Sequence, residues 1–183
     1  RSELEIKGKN LAELQMALHK KDSVTNALRK AVADALMGFE GKGLTVHMKD
    51  GKVYVSLEEK LIFASGKWDV SSEGVTALKD LAKVLEKNPD ISILIEGHTD
   101  NVPLSSQNQV KDNWDLSTMR ATSIVKILLA NGKIDPKRLV ASGRGEYLPV
   151  VPNNSPANKA KNRRTEIILS PKLDELMQII GTN

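Results

Sequence analysis

Apolar residues recur with two different periods along this chain, and the change of period divides it. Over residues 1–40, Leu4, Leu11, Leu18, Thr25, Val32 and Phe39 stand seven apart, with Lys7, Leu14, Lys21, Leu28 and Ala35 at the second position of the same repeat. Such a repeat predicts one long helix with a single apolar seam. Two readings fit it: a helix packed on its own domain, or a stalk or coiled coil that pairs with a second copy as a homodimer. Lys7 and Lys21 in the seam weaken a two-stranded pairing. Gly38, Gly41 and Gly43 then predict the end of the helix and a flexible joint.

Beyond the joint the period drops to two. Val46 and Met48, then Val53, Val55 and Leu57, flank Asp50-Gly51, a dipeptide suited to a two-residue hairpin turn. Ser71 and Ser72 predict the cap of a helix whose apolar face is Val75, Leu78, Leu81, Ala82 and Leu85, stopped by Asn88-Pro89. "ISILIEG" predicts a buried strand ending at Gly97. Residues 114–131 predict a second amphipathic helix through Ala121, Ile124, Val125 and Leu128, closed by Asn131-Gly132, with Asp115 and Ser117 offering caps at its start. "RLVASGRG" and "NRRTEIILS" predict two further strands, and "PKLDELMQII" a terminal helix. The expected fold class is α+β: a mixed β-sheet with helices packed on one face, preceded by a long N-terminal helix. Three segments follow from it: 1–40, a compact domain at 44–171, and a C-terminal helix at 172–183.

Composition narrows the function classes. Hydrophobic residues make up 40% and charged residues 27%, ordinary for a globular chain, while 3% aromatics requires an aliphatic core. The net charge of +4 comes from basic residues spread along the chain, which argues against a nucleic-acid surface. The absence of cysteine excludes disulfides and thiolate metal sites. No apolar run reaches the ~18 residues of a membrane span. The chain begins at Arg1, so a fragment is expected, with any signal peptide or membrane anchor upstream of it.

The chemistry concentrates between Glu96 and Ala121. His98, Thr99 and Asp100 follow an apolar strand at its carboxyl end, a common place for ligands. Arg120 lies in the next helix, on the same side as Asn113 and Ser117. A carboxylate prefers an ammonium donor, and a guanidinium prefers a carboxylate. The pair therefore suits a zwitterionic ligand, but a plain surface ion pair between Asp100 and Arg120, contributing roughly 0–1 kcal/mol, is equally compatible with the spacing and commoner. Glu96 with Asp100 makes a weak case for acid–base catalysis. No metal and no cofactor are expected, because His98 has no second histidine at ligand spacing and His19 and His47 are remote. "SGRGE" lacks the serine between glycines of a nucleophile elbow, so Gly143 and Gly145 predict a tight turn. Asn162, Arg163 and Arg164 read as a solvated strand start, with an extra donor for an anionic ligand as the second reading.

"IEGHTDNVP", "NWDLSTMRA", "LVASGRGEYLPVVPN" and "NRRTEIIL" stand in the order seen in the OmpA-like (OmpA/MotB C-terminal) peptidoglycan-binding domain family. The likeness covers about residues 50–170, and the "NVP" and "NW" forms are most similar to the MotB-type branch. The resemblance implies a βαβαββ sandwich and non-enzymatic, non-covalent binding of the peptidoglycan stem peptide, usually through diaminopimelate. It implies that Asp100 receives the ligand ammonium and Arg120 its carboxylate, that Asn113 adds a hydrogen bond, and that Thr99 and an arginine of Asn162-Arg163-Arg164 line the pocket. Which arginine faces inward stays open, since strand alternation sets Arg164 and Glu166 opposite Ile167 and Leu169. The sequence departs from relatives that carry an acid just after the Phe before the first helix, having Ala64-Ser65-Gly66 after Phe63, and its loop 101–112 is larger. The expected setting is the periplasm of a Gram-negative bacterium, with the cell wall as partner and an outer-membrane anchor upstream. A stator-type anchor in the inner membrane is the first alternative, and a cell-wall hydrolase a weaker one.

Overall fold

The computed structural model describes residues 3–65, 67–104 and 110–172. The terminal helix expected at 172–183 falls almost wholly outside them. Helix α1 (Glu3–Leu36) ends in a 3-10 turn at Met37–Phe39. Strands β1 (Leu44–Lys49) and β2 (Lys52–Glu58) form the expected hairpin. Its turn residues Asp50 and Gly51 both have positive φ (50° and 69°), as a tight two-residue turn between twisted strands requires. A short helix α2 (Glu59–Ile62) leads to α3 (Ser72–Lys87), which Ser71 caps by accepting from Gly74 N. There follow β3 (Ile91–His98), α4 (Asn113–Asn131), β4 (Leu139–Gly143), α5 (Pro156–Asn162) and β5 (Arg164–Pro171).

The sheet order is β1-β2-β5-β3-β4, antiparallel except for the parallel pair β3–β4. Helices α1, α3 and α4 cover one face, α1 over the β1–β2–β5 side and α4 over β3–β4. Between them lies the aliphatic core predicted from composition, centred on Val53, Val55, Leu78, Leu81, Ile93, Ile95, Ile124 and Ile167. The opposite face of the sheet, which α1, α3 and α4 leave uncovered, bounds a cavity of about 800 Å³. The α+β class and the one-sided helical cover are those expected.

The long helix divides in two. Thr25, Leu28, Val32 and Leu36 are buried, the last three within the same core as Leu44 and Val55. Leu4, Leu11 and Leu18, on the same seven-residue repeat, are 83%, 57% and 43% exposed. The last turns of the helix, from Thr25 to Leu36, therefore pack against the core of the segment expected at 44–171. After it, Gly41 and Gly43 adopt positive φ.

Helix α4 begins at Asn113, and its cap is Asp112, which accepts from Asp115 N, rather than Asp115 or Ser117. Its close approach to the sheet depends on two glycines. A side chain on Gly97 would collide with the backbone carbonyl of Ser117, and one on Gly143 with Ser117 and Thr118. Gly145, with φ of 56°, supplies the expected tight turn.

Candidate functional site

Strand β3 ends in the middle of the sheet, and its last residues leave in two directions. Glu96 and His98 point to the uncovered face, while Thr99 and Asp100 run past the sheet edge towards α4. Thr99 N donates to Gly145 O (2.9 Å), tying the exit of β3 to the turn after β4. Trp114 stacks on Tyr147 and closes the same turn against α4.

Thr99, Asp100, Asn113, Arg120 and Arg163 line one cavity of about 430 Å³, together with Glu59, Ser65, Val102, Pro103, Leu104 and Leu116. Asp100 and Arg120 are both buried within it, yet they are not hydrogen-bonded to each other. Arg163 Nη1 donates to Asp100 Oδ2 at 2.6 Å. Arg163 Nε lies 2.8 Å from Glu59 Oε2, close enough for an ion pair but not aligned as a hydrogen bond. Arg120 Nη2 donates to Glu59 Oε1 at 3.0 Å, its Nε donates to Lys67 O, and its guanidinium lies over the Phe63 ring. The direct ion pair allowed by the spacing is thus replaced by a four-residue chain, Asp100–Arg163–Glu59–Arg120.

Burial pushes the Arg120 guanidinium below its usual pKa, and Glu59 is the strongest opposing influence. The cation stays charged because that carboxylate accompanies it. A buried ion pair is strongly coupled to its partner, so loss of Glu59 leaves Arg120 in want of another anion. Asp100 Oδ1 also accepts from Val102 N (3.0 Å), which curls the loop back over the carboxylate. Asn113 Nδ2 donates to Val102 O (3.0 Å) and to Glu146 Oε2 (3.2 Å), holding the loop to the start of α4.

The three-residue run Asn162-Arg163-Arg164 does not act as a unit. It spans the end of α5 and the start of β5 rather than a strand start alone. Asn162 is fully buried away from this cavity. Its Oδ1 accepts from Val150 N and Val151 N, and its Nδ2 donates to Val151 O and Asn153 Oδ1, so it fastens the 150–153 loop. Arg163 turns into the 430 Å³ cavity. Arg164, one residue on, turns to the opposite face, where Nε donates to Glu166 Oε1 (2.9 Å) and Nη2 to Leu148 O.

Residues 62–163 match the OmpA family. The chain belongs to that family. Motility protein B of Bacillus subtilis (strain 168) is 32% identical over 151 residues, 82% of this chain and 56% of that protein. The chain therefore spans little more than half the length of that relative. Among solved structures, a MotB-like protein from Desulfovibrio vulgaris superposes with a TM-score of 0.76 at 28% identity, covering 87% of this chain and 99% of that one. The cell wall anchor of the T6SS from Pseudomonas aeruginosa gives 0.69 at 29% identity, covering 77% and 97%. The MotB-type form of the OmpA-like motifs agrees with these relatives.

Glu59 escaped the sequence reading. In "SLEEKL" it looks like one of two solvated acids; only the turn of α2 sends it inward while Glu58 pairs with Lys60 at the surface. A buried acid thus stands four positions before Phe63.

Proposed function

We propose that this domain binds the peptide stem of peptidoglycan without covalent chemistry and anchors a longer protein to the cell wall. The reading rests on one observation: a buried carboxylate, Asp100, and a buried guanidinium, Arg120, line one cavity, and each holds a counter-charge that a zwitterion can replace. The ligand ammonium takes the place of Arg163 at Asp100. The ligand carboxylate takes the place of Glu59 at Arg120, leaving Glu59 and Arg163 to neutralise each other. Exchange of partners avoids exposing an unpaired buried charge at any stage, which would otherwise cost several kcal/mol. Asn113 and Thr99 hold the loop and the strand exit that set the two charges apart.

Diaminopimelate carries an ammonium and a carboxylate on one carbon and meets both jaws; lysine at the same stem position meets only Asp100. Affinity for one stem is modest because association entropy opposes it, and many copies on one wall compensate through avidity. The exposed apolar positions Leu4, Leu11 and Leu18 suit pairing of two copies, which adds to the same effect.

Likeness to motility protein B supports a stator-type anchor from the inner membrane as well as a tether from the outer one. No helix among the described residues is long and apolar enough to cross a membrane. An upstream span bearing a functional acid decides for the stator. Calorimetric titration with a diaminopimelate stem peptide beside its lysine counterpart tests the site. Binding of the first alone supports it, and equal or absent binding of both contradicts it. Release of soluble fragments from purified wall would replace the anchor reading with a hydrolase.

A further inference from the structure

The uncovered face of the sheet holds a second cluster of buried polar groups, separate from the cavity above. His98 is 1% exposed, and neither of its ring nitrogens has a hydrogen-bond partner. Its Nε2 lies 3.4 Å from Glu96 Oε1 and 3.8 Å from Glu166 Oε2, and one donor atom from each of the three residues falls within 4.8 Å of the others. We propose that Glu96, His98 and Glu166 bind a divalent transition cation, zinc foremost, at the floor of the 800 Å³ cavity.

The geometry suits such an ion. Donors about 2.0–2.2 Å from a tetrahedral zinc stand roughly 3.3–3.6 Å apart. The two spacings from His98 Nε2 are close to that, and the carboxylate pair, within 4.8 Å, closes by inward movement of Glu166. The carboxylates are already oriented. Glu96 gives its second oxygen to Arg144 Nη2 (2.8 Å) and Glu166 gives its own to Arg164 Nε (2.9 Å), which leaves one oxygen of each for the imidazole side. Outer partners of this kind direct the ligands of metal sites. Three protein donors leave a fourth position free, and the cavity lined by Glu96 and Glu166 is the route to it. One nitrogen and two oxygens favour zinc over magnesium, which demands an octahedron of oxygens and keeps its waters. Arg144, half exposed, can swing towards solvent as the cation's charge arrives.

The test uses the full 183-residue chain, stripped with chelator and titrated with Zn²⁺ by calorimetry and with Co²⁺ by visible absorption. One equivalent of zinc, and a tetrahedral Co²⁺ spectrum, are expected. Both weaken about tenfold or more in Glu166→Gln and in His98→Gln. They persist in His47→Gln, which removes a histidine that lines the cavity outside the cluster, and in Asp100→Asn, which separates this site from the stem-binding reading. Glu166→Gln is near-isosteric and partly exposed, so it decides the matter if His98→Gln fails to fold. Absence of uptake, uptake that survives Glu166→Gln, or uptake lost with His47→Gln overturns the site.

Discussion

Two polar clusters lie back to back across the end of the same sheet, and they solve the problem of buried charge in opposite ways. In the cavity beside α4, each buried charge has a partner of opposite sign, and Glu59 stands between two arginines. On the uncovered face, Arg144 and Arg164 hold Glu96 and Glu166, but the imidazole between those carboxylates has no hydrogen bond. The ends of β3 and β5 divide the residues between them. Glu96 and His98 share one face of β3 by alternation, and Thr99 and Asp100, beyond its end, turn the other way; Arg163, just before β5, goes one way and Arg164 the other. A site whose partners can be exchanged suits a ligand carrying both charges, whereas an unpartnered lone pair suits a ligand that has no proton to give.

The largest test of this contrast removes the guanidinium. Arg120→Ala is expected to abolish detectable binding of a diaminopimelate stem, a loss of about 2–5 kcal/mol, because it takes away the carboxylate reader. Asp100→Asn is expected to act likewise through the ammonium. Normal calorimetric affinity in both variants would remove the site assignment. Circular dichroism should show the fold retained.

Next in size is a pH effect confined to the other cluster. Burial, then the charge of Arg164, lowers the His98 pKa from 6.5 to about 4, against an upward pull from Glu166 and a further downward one from Arg144. The unfolded chain therefore takes the proton first. Stability of the metal-free protein is expected to be full above about pH 6.5 and to fall as pH drops towards 4, by up to about 3 kcal/mol. Urea unfolding across that range measures it, and the slope should vanish in His98→Gln. A slope unchanged by the substitution assigns the effect to other groups.

Gly97 lies between Glu96 and His98 in β3, directly under α4. Gly97→Ala is expected to destabilise the protein by about 1–3 kcal/mol, since the new methyl meets the Ser117 backbone rather than a yielding side chain. Thermal and urea unfolding report it; an unchanged midpoint would show that α4 rides outward without cost.

The smallest effect on binding has the opposite sign. Glu59→Gln removes the internal competitor for Arg120 and should tighten binding of the stem severalfold, about 1 kcal/mol, while lowering stability by several kcal/mol, since it leaves a buried guanidinium without its anion. Weaker binding in this variant would mean that Glu59 orients Arg120 rather than competes with the ligand.

Much of the architecture was legible along the chain. The period of two around Asp50-Gly51, the apolar face of α3 and the buried run of β3 each depend on neighbours within a few residues, and those periods are what burial on one face imposes. Asp100, Asn113 and Arg120 stood out through motif order. The short helices α2 and α5, of 4 and 7 residues, left no period to read. Glu59, the different fates of Asn162, Arg163 and Arg164, and the meeting of His98 with Glu166 were not legible either.

The sequence on its own determined which of the longer stretches become helix or strand, where the hairpin turns and that the core is aliphatic, because those properties follow from local periodicity and composition. Tertiary structure alone decided which charges meet. Placing β5 between β2 and β3 brings Arg163 to Glu59 and Asp100 on one side, and Glu166 to His98 on the other. Coulomb and hydrogen-bond energies act across space at a few ångströms, and no spacing along the chain records that distance until the strands have paired.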